Sequence, residues 1–246
     1  MASFLSRGVL SMSVLLTCAA CGFGPMTSSN GDAGRHARLR EEMVRRQLIA
    51  RDITDDGVLA AMRRVPRHEF VPPDMRDQAY QDAPLSIGFG QTISQPYVVA
   101  LMTQLTRASR GKRALDVGTG SGYQAAVLAE VVDQVYSIEI VCDLAEQATE
   151  RLGQLEYDNV TVRCGDGYAG WEEHAPFDVI IVAAAPREIP QPLIDQLAPG
   201  GRLVIPVGEA HQELVVVERT ADGSVHQFTA GGVRFVPMTG EAERGG

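Results

Sequence analysis

Apolar positions follow two rhythms along this chain. Over residues 38–50, Leu39, Met43, Gln47 and Leu48 fall on related faces of a helix. Thr54 is placed to cap a second helix over 55–64, whose apolar positions are Val58, Leu59 and Met62, and Pro66 ends it. Phe70-Val71-Pro72-Pro73 interrupts the pattern, and residues 83–95, with Gly88 and Gly90, read as a loop. A helix over 96–107 carries Val98, Val99, Leu101, Met102 and Leu105 at helical spacing. Beyond it the rhythm changes. Short apolar runs at 114–117, 135–138, 160–162, 179–182 and 203–205 alternate with helical stretches near 123–130, 143–155 and 190–197. This alternation predicts βαβ units, hence an α/β fold with a mostly parallel sheet. The tail differs: runs at 214–219, 225–229 and 233–236 are strand-like with no helix between them, and Ala221-Asp222-Gly223-Ser224 suits a hairpin turn. Antiparallel strands are therefore expected to close the sheet.

Composition narrows the class. The 246 residues suffice for one α/β domain with a sizeable core, and 45% hydrophobic with 22% charged residues is ordinary for a globular protein. A formal net charge of −9 disfavours nucleic acid, whose phosphates need clustered Lys and Arg, and leaves protein or peptide partners open. Of four cysteines, Cys18 and Cys21 lie near the N-terminus, leaving Cys142 and Cys164 for the body. That is no disulfide framework, and the spacing is wrong for structural zinc, so both are expected to be small buried hydrophobes. His68, His174, His211 and His226 lack metal-ligand spacing, and no metal is expected. Trp171 reads as a packing residue.

The N-terminus stands apart. Arg7, an apolar stretch over 9–16 and then Cys18-Ala19-Ala20-Cys21 resemble a secretory leader with a lipoprotein-type cysteine at Cys21. The stretch is too short to span a membrane. An internal start, at Met26 or Met43, is the alternative, and Cys18 stands where a lipoprotein signal prefers leucine. Residues 22–34 are rich in Gly, Ser and Thr and read as a flexible linker. The expected division is a leader and linker over 1–34 and a single domain, N-terminal helices included, over 35–246.

The candidate chemistry centres on Leu115-Asp116-Val117-Gly118-Thr119-Gly120-Ser121-Gly122, a strand running into a glycine-rich turn at a helix start. Gly118 and Gly120 let the backbone approach a ligand closely. Alone, such a turn is also compatible with a tight βα connection that binds nothing. Asp116 sharpens the reading, because a carboxylate there repels a pyrophosphate and suits a cationic ligand. S-adenosylmethionine carries an ammonium and a sulfonium and no phosphate. Glu139 ends the next strand, where an acid accepts ribose hydroxyls, and Asp166-Gly167 follows the third, within reach of an adenine amino group. Each acid alone is more often a solvated carboxylate or a helix cap. Together they mark one crevice at the carboxyl edge of the sheet.

At these residues the chain resembles the protein-L-isoaspartate O-methyltransferases. The resemblance is carried by Val65-Pro66-Arg67-His68-Glu69-Phe70-Val71-Pro72, Gly88-Phe89-Gly90-Gln91-Thr92-Ile93-Ser94-Gln95-Pro96, the glycine-rich turn, Gly165-Asp166-Gly167, Ala183-Ala184-Ala185-Pro186 and Val233-Arg234-Phe235-Val236-Pro237. It implies a Rossmann-like S-adenosylmethionine-dependent methyltransferase fold, a methyl donor in that crevice, and isoaspartyl-containing proteins and peptides as acceptors. It further implies that Ser94 is the active residue, with cofactor contacts around Thr92, Ile93, Gln95, Tyr97, Thr119, Glu139, Ile140, Asp166, Gly167 and Thr239. Local sequence alone would make Ser94 a cap for the helix that follows. Two alternatives stand beside this reading: a small-molecule O-methyltransferase of the same fold, and a non-catalytic exported lipoprotein. A base methyltransferase is disfavoured, because Ala183-Ala184-Ala185-Pro186 offers no side-chain acceptor for a base amine. A monomer in the cytoplasm is expected, with export or a lipid anchor through Cys21 as the alternative and membrane contact only in that case.

Overall fold

The computed structural model describes residues 29–240, so the leader and the first part of the linker lie outside the described residues. Helix α1 (Ser29–Met43) continues into a π-helical segment, Val44–Ile49. It starts earlier than the apolar pattern indicates, so residues 29–34, expected as linker, are helical. The polar composition of residues 29–34 hides the helix start, while buried Met43 at its end and Val44 and Leu48 in the segment that follows tie it to the core. Helix α2 (Asp56–Arg64) is capped by Asp55, whose side chain accepts from Val58 N, and not by Thr54. Val65, preceding Pro66, ends it.

The expected loop at 83–95 contains a small hairpin. Strands β1 (Leu85–Gly88) and β2 (Gln91–Ile93) pair antiparallel around Phe89, with Gly88 and Gly90 at positive φ. Helix α3 (Pro96–Leu105) begins directly after it, with proline at the first helical position, where no N–H is needed.

The main sheet holds β3 (Arg113–Val117), β4 (Gln134–Glu139), β5 (Val160–Cys164), β6 (Phe177–Val182), β7 (Leu197–Val207), β8 (Gln212–Arg219) and β9 (Val225–Val233). Their spatial order is β5-β4-β3-β6-β7-β8-β9. β5 through β7 run parallel, and β8 and β9 are antiparallel additions. The crossovers carry α4 (Tyr123–Val131), α5 (Cys142–Gln154) and the short α6 (Gln191–Asp195). The runs expected at 225–229 and 233–236 merge into β9, which ends at Val233; beyond it Pro237 forms an isolated bridge with Ala185.

Strand side chains alternate between two cores. Ala114, Val179 and Val204 pack with α2, α3 and α4, while Leu115, Ile180 and Leu203 pack with Trp171, Leu193 and Met238 on the other face. Because the sheet is covered on both faces, its central strands are mostly apolar, with Asp116 in β3 and Ser137 in β4 as buried polar exceptions, which is why they read as short apolar runs. The strand order reverses beside β3, so a crevice opens above the carboxyl ends of β3, β4 and β6. Among the described residues no helix is long and apolar enough to cross a membrane.

Candidate active site

The turn after β3 is held open from below. Gly118 N and Thr119 N both donate to Ile138 O, at 2.8 and 3.2 Å, which ties the turn to the end of β4. Gly118, Gly120 and Gly122 have φ of 91°, 50° and 87°, a region that side chains disfavour. Beneath the turn, Ser137 Oγ donates to Asp116 Oδ2 at 2.7 Å and shares a 2.6 Å hydrogen bond with Thr119 Oγ1. Asp116 is fully buried, and its other carboxylate oxygen, Oδ1, has no partner. Burial pushes its carboxyl up to about 7.

Glu139 stands at the cavity wall. Its Oε2 accepts from Gly120 N at 2.7 Å and its Oε1 from Val141 N at 3.0 Å. One carboxylate thereby joins the glycine-rich turn to the start of α5 and lines the cavity with Ile140. Gly167 forms the adjacent wall, where a Cβ would overlap the Val117 side chain. The far walls come from the segment after β2 and from the C-terminal segment. Ala185 N donates to Val236 O and Met238 N to Ala185 O, each at 2.8 Å, which brings Pro237, Met238 and Thr239 beside Ala183 and Ala184.

Of the expected site residues, the structure gathers Thr92, Ile93, Ser94, Gly118, Thr119, Gly120, Glu139, Ile140, Gly167 and Thr239 around this one cavity. Four it places elsewhere. Asp116 lies behind the wall, supporting Thr119 through Ser137. Asp166 turns its carboxylate to Tyr168 N, capping a short 3-10 turn. Gln95 and Tyr97 line a neighbouring cleft of about 950 Å³. There the Tyr97 hydroxyl donates to Asp52 at 2.7 Å, and Arg51 stacks on its ring at 3.5 Å.

The two clefts share Thr92, Ser94, Ala183 and Val236 as a common wall. Ser94 does not cap α3, since Gln95 occupies the cap position without a side-chain bond. The second cleft, framed by Leu101, Gln212, Ala230 and Phe235, was not foreseen from the sequence. One side comes from Arg51, the segment after β2 and α3, the other from β8, β9 and the segment after them, and nothing in their local pattern marks a site.

The donor set of the first cavity discriminates between ligands. Its wall carries one carboxylate, Glu139, and no lysine or arginine, which opposes a phosphate ligand and fits a cationic one. The comparisons with known proteins agree. The family Protein-L-isoaspartate(D-aspartate) O-methyltransferase (PCMT) matches residues 38–243.

The chain belongs to this family.

A Protein-L-isoaspartate O-methyltransferase of Opitutus terrae is 58% identical over 203 residues, 82% of this chain and 87% of that protein. A Protein-L-isoaspartate O-methyltransferase 2 of Syntrophobacter fumaroxidans is 52% identical over 241 residues, 96% and 98% of the two chains. The crystal structure of a beta-aspartate methyltransferase (PCMT) from Plasmodium falciparum in complex with S-adenosyl-L-homocysteine matches with a TM-score of 0.69 at 30% identity, over 83% of this chain and 98% of that one. As a PCMT-family methyltransferase, this chain takes its methyl group from S-adenosylmethionine.

One expectation is overturned on the rim of this PCMT-family site. Cys142 and Cys164 are not buried hydrophobes: both are exposed, and they form a disulfide. The pairing follows from strand register, since Cys164 lies opposite Glu139 across the β4–β5 ladder and α5 starts three residues later. Sequence spacing alone does not reveal that register.

Proposed function

We propose that donor and acceptor meet at Ser94, and that the chain methylates the free α-carboxylate of L-isoaspartyl residues in damaged proteins and peptides. The carrying observation is the shared wall: a cavity suited to a cationic nucleoside and a cleft open to a peptide touch at Ser94. S-adenosylmethionine supplies an electrophilic methyl group on a sulfonium. Glu139 would accept the ribose hydroxyls, and the glycine-rich turn admits the ligand close to the backbone.

The acceptor carboxyl, with a pKa of about 3.5, is ionised at neutral pH, so no general base is required. What remains is alignment of oxygen, methyl carbon and sulfur, together with exclusion of water. Among the described residues Ser94 Oγ has no partner, which leaves its hydroxyl available to orient the carboxylate. The cleft carries Arg51, which pairs with Asp82, together with Arg234 and one carboxylate, Glu213; this net positive lining matches an anionic acceptor, while the donor cavity carries no arginine or lysine. The methyl ester then closes to a succinimide without further catalysis, and hydrolysis returns part of it to normal aspartate.

The test is a methyl-transfer assay on two peptides that differ only in an aspartyl or isoaspartyl linkage. Transfer to the isoaspartyl peptide alone is expected. Equal rates on both, or none on either, would overturn the reading.

The active form is proposed to be cytoplasmic and monomeric. The methyl donor is made in the cytosol, and the family model begins at residue 38, although the alignment with the Syntrophobacter fumaroxidans relative, over 96% of this chain, extends into the leader. The Cys142–Cys164 bridge favours a second reading, export through the leader, because disulfides persist in oxidising compartments. Mass spectrometry of the native N-terminus separates them: a diacylglyceryl group on Cys21 would establish export.

A further inference from the structure

The Cys142–Cys164 bridge takes no part in methyl transfer, yet it ties together the two loops that frame the donor cavity. Cys142 opens α5 three residues after Glu139, and Cys164 ends β5 just before Gly165-Asp166-Gly167. Their Cα atoms are 4.9 Å apart, and Gly165 N donates to Glu139 O at 2.9 Å beside them. The bridge also anchors the first residue of α5. That helix packs on the glycine-rich turn, where a Cβ at Gly122 would meet Leu152 at 3.3 Å and Ala148 at 3.5 Å. Both cysteines are exposed, and β5 is the outer strand of the sheet, so the bridge lies at the surface.

We propose that Cys142–Cys164 is a redox-active site that sets the affinity of the cavity for S-adenosylmethionine, tighter when bridged and weaker as the dithiol. The inference rests on the donor-cavity assignment above. Reduction proceeds by thiol–disulfide exchange. An external thiolate attacks Cys164 Sγ, the Cys142–Cys164 bond breaks, and the electron pair leaves on Cys142. Cys142 is the better leaving group because the helix N-terminus stabilises its thiolate, although the carboxylate of Asp143 acts in the opposite sense. A second external thiolate attacks the external sulfur of the mixed disulfide and releases Cys164. The bridge thereby gains two electrons and two protons, and two external thiols become one external disulfide. Oxidation is the reverse, driven by a low-molecular-weight disulfide. In the bridged form the loops bearing Glu139 and Gly167 are held together before the ligand arrives, whereas in the dithiol their ordering is subtracted from binding.

The experiment uses the full chain equilibrated with reduced dithiothreitol or with glutathione disulfide. Alkylation and peptide mass spectrometry report the state of Cys142 and Cys164, and calorimetry with S-adenosylhomocysteine gives Kd in each state. The bridged form is expected to bind about threefold to thirtyfold more tightly, with an unchanged KM for the isoaspartyl peptide. The Cys142→Ser/Cys164→Ser variant, checked for its fold by circular dichroism, should bind like the dithiol and ignore the redox buffer. Equal Kd in the two verified states would overturn the inference alone, as would thiols that stay free under oxidation. Failure of both states to bind would overturn the donor-cavity assignment and the inference with it.

Discussion

Two acids at adjacent strand ends, Asp116 and Glu139, look equivalent in sequence and differ in the fold. Glu139 reaches the cavity and holds two backbone amides; Asp116 is sealed behind it. Glu139→Ala should therefore weaken S-adenosylhomocysteine binding by roughly 1–3 kcal/mol, the loss expected for hydrogen bonds to a charged acceptor. Calorimetry reads this directly, and unchanged affinity would place Glu139 outside the site. Asp116 has a different signature. Its folded pKa of about 7 lies above the ordinary 3.8, so between those values the native state holds a proton that the unfolded chain has released. Its contribution to stability is therefore full below the ordinary value and is lost as pH rises through about 7. Asp116→Asn, which does not titrate, should gain on the wild type by roughly 1–4 kcal/mol between about pH 4.5 and about pH 8. Urea unfolding of the ligand-free proteins across that range checks it, and a pH-independent difference would contradict it.

At the scale of elements, the close approach of β3 to the loop after β5 depends on a missing side chain. Gly167→Ala would drive a methyl group into Val117 and to 3.2 Å from Met238 Cε. A loss of about 1–3 kcal/mol in unfolding free energy is expected, together with weaker cofactor binding. Gly153→Ala is the contrast: it lies in α5 with open space around it and should stabilise by about 0.5–1 kcal/mol. Equal effects in denaturant unfolding would mean that the packing argument is wrong. The parallel strands were legible because a sheet buried on both faces demands continuous apolar runs. The hairpin β1–β2 was not, since strands of four and three residues carry too little pattern beside Gly88 and Gly90. The Cys142–Cys164 pair was hidden for a related reason: cross-strand register is a property of the sheet and not of either segment.

Across the whole molecule, the cavity over the glycine-rich turn was legible because strand ends converge there, and three strand ends could be read from the chain. The second cleft was not. It joins Arg51 and Tyr97, which stack on each other, to His211 and Arg234, which lie beside β8 and β9 where these extend the sheet. Tyr97 shows the consequence: family resemblance assigned it to the cofactor, and packing against Arg51 and Asp52 turns it to the other cleft. The proposed reaction requires Ser94 to stand where the two clefts meet. Ser94→Ala tests that placement most directly, with S-adenosylhomocysteine affinity measured by calorimetry and isoaspartyl peptide methylation measured on the same preparation. Affinity within about twofold of wild type, with kcat lower by roughly 10- to 100-fold, is the predicted result, corresponding to loss of an interaction made in the transition state. Unchanged kcat, or a fall in kcat that only follows a matching loss of cofactor affinity, would contradict it.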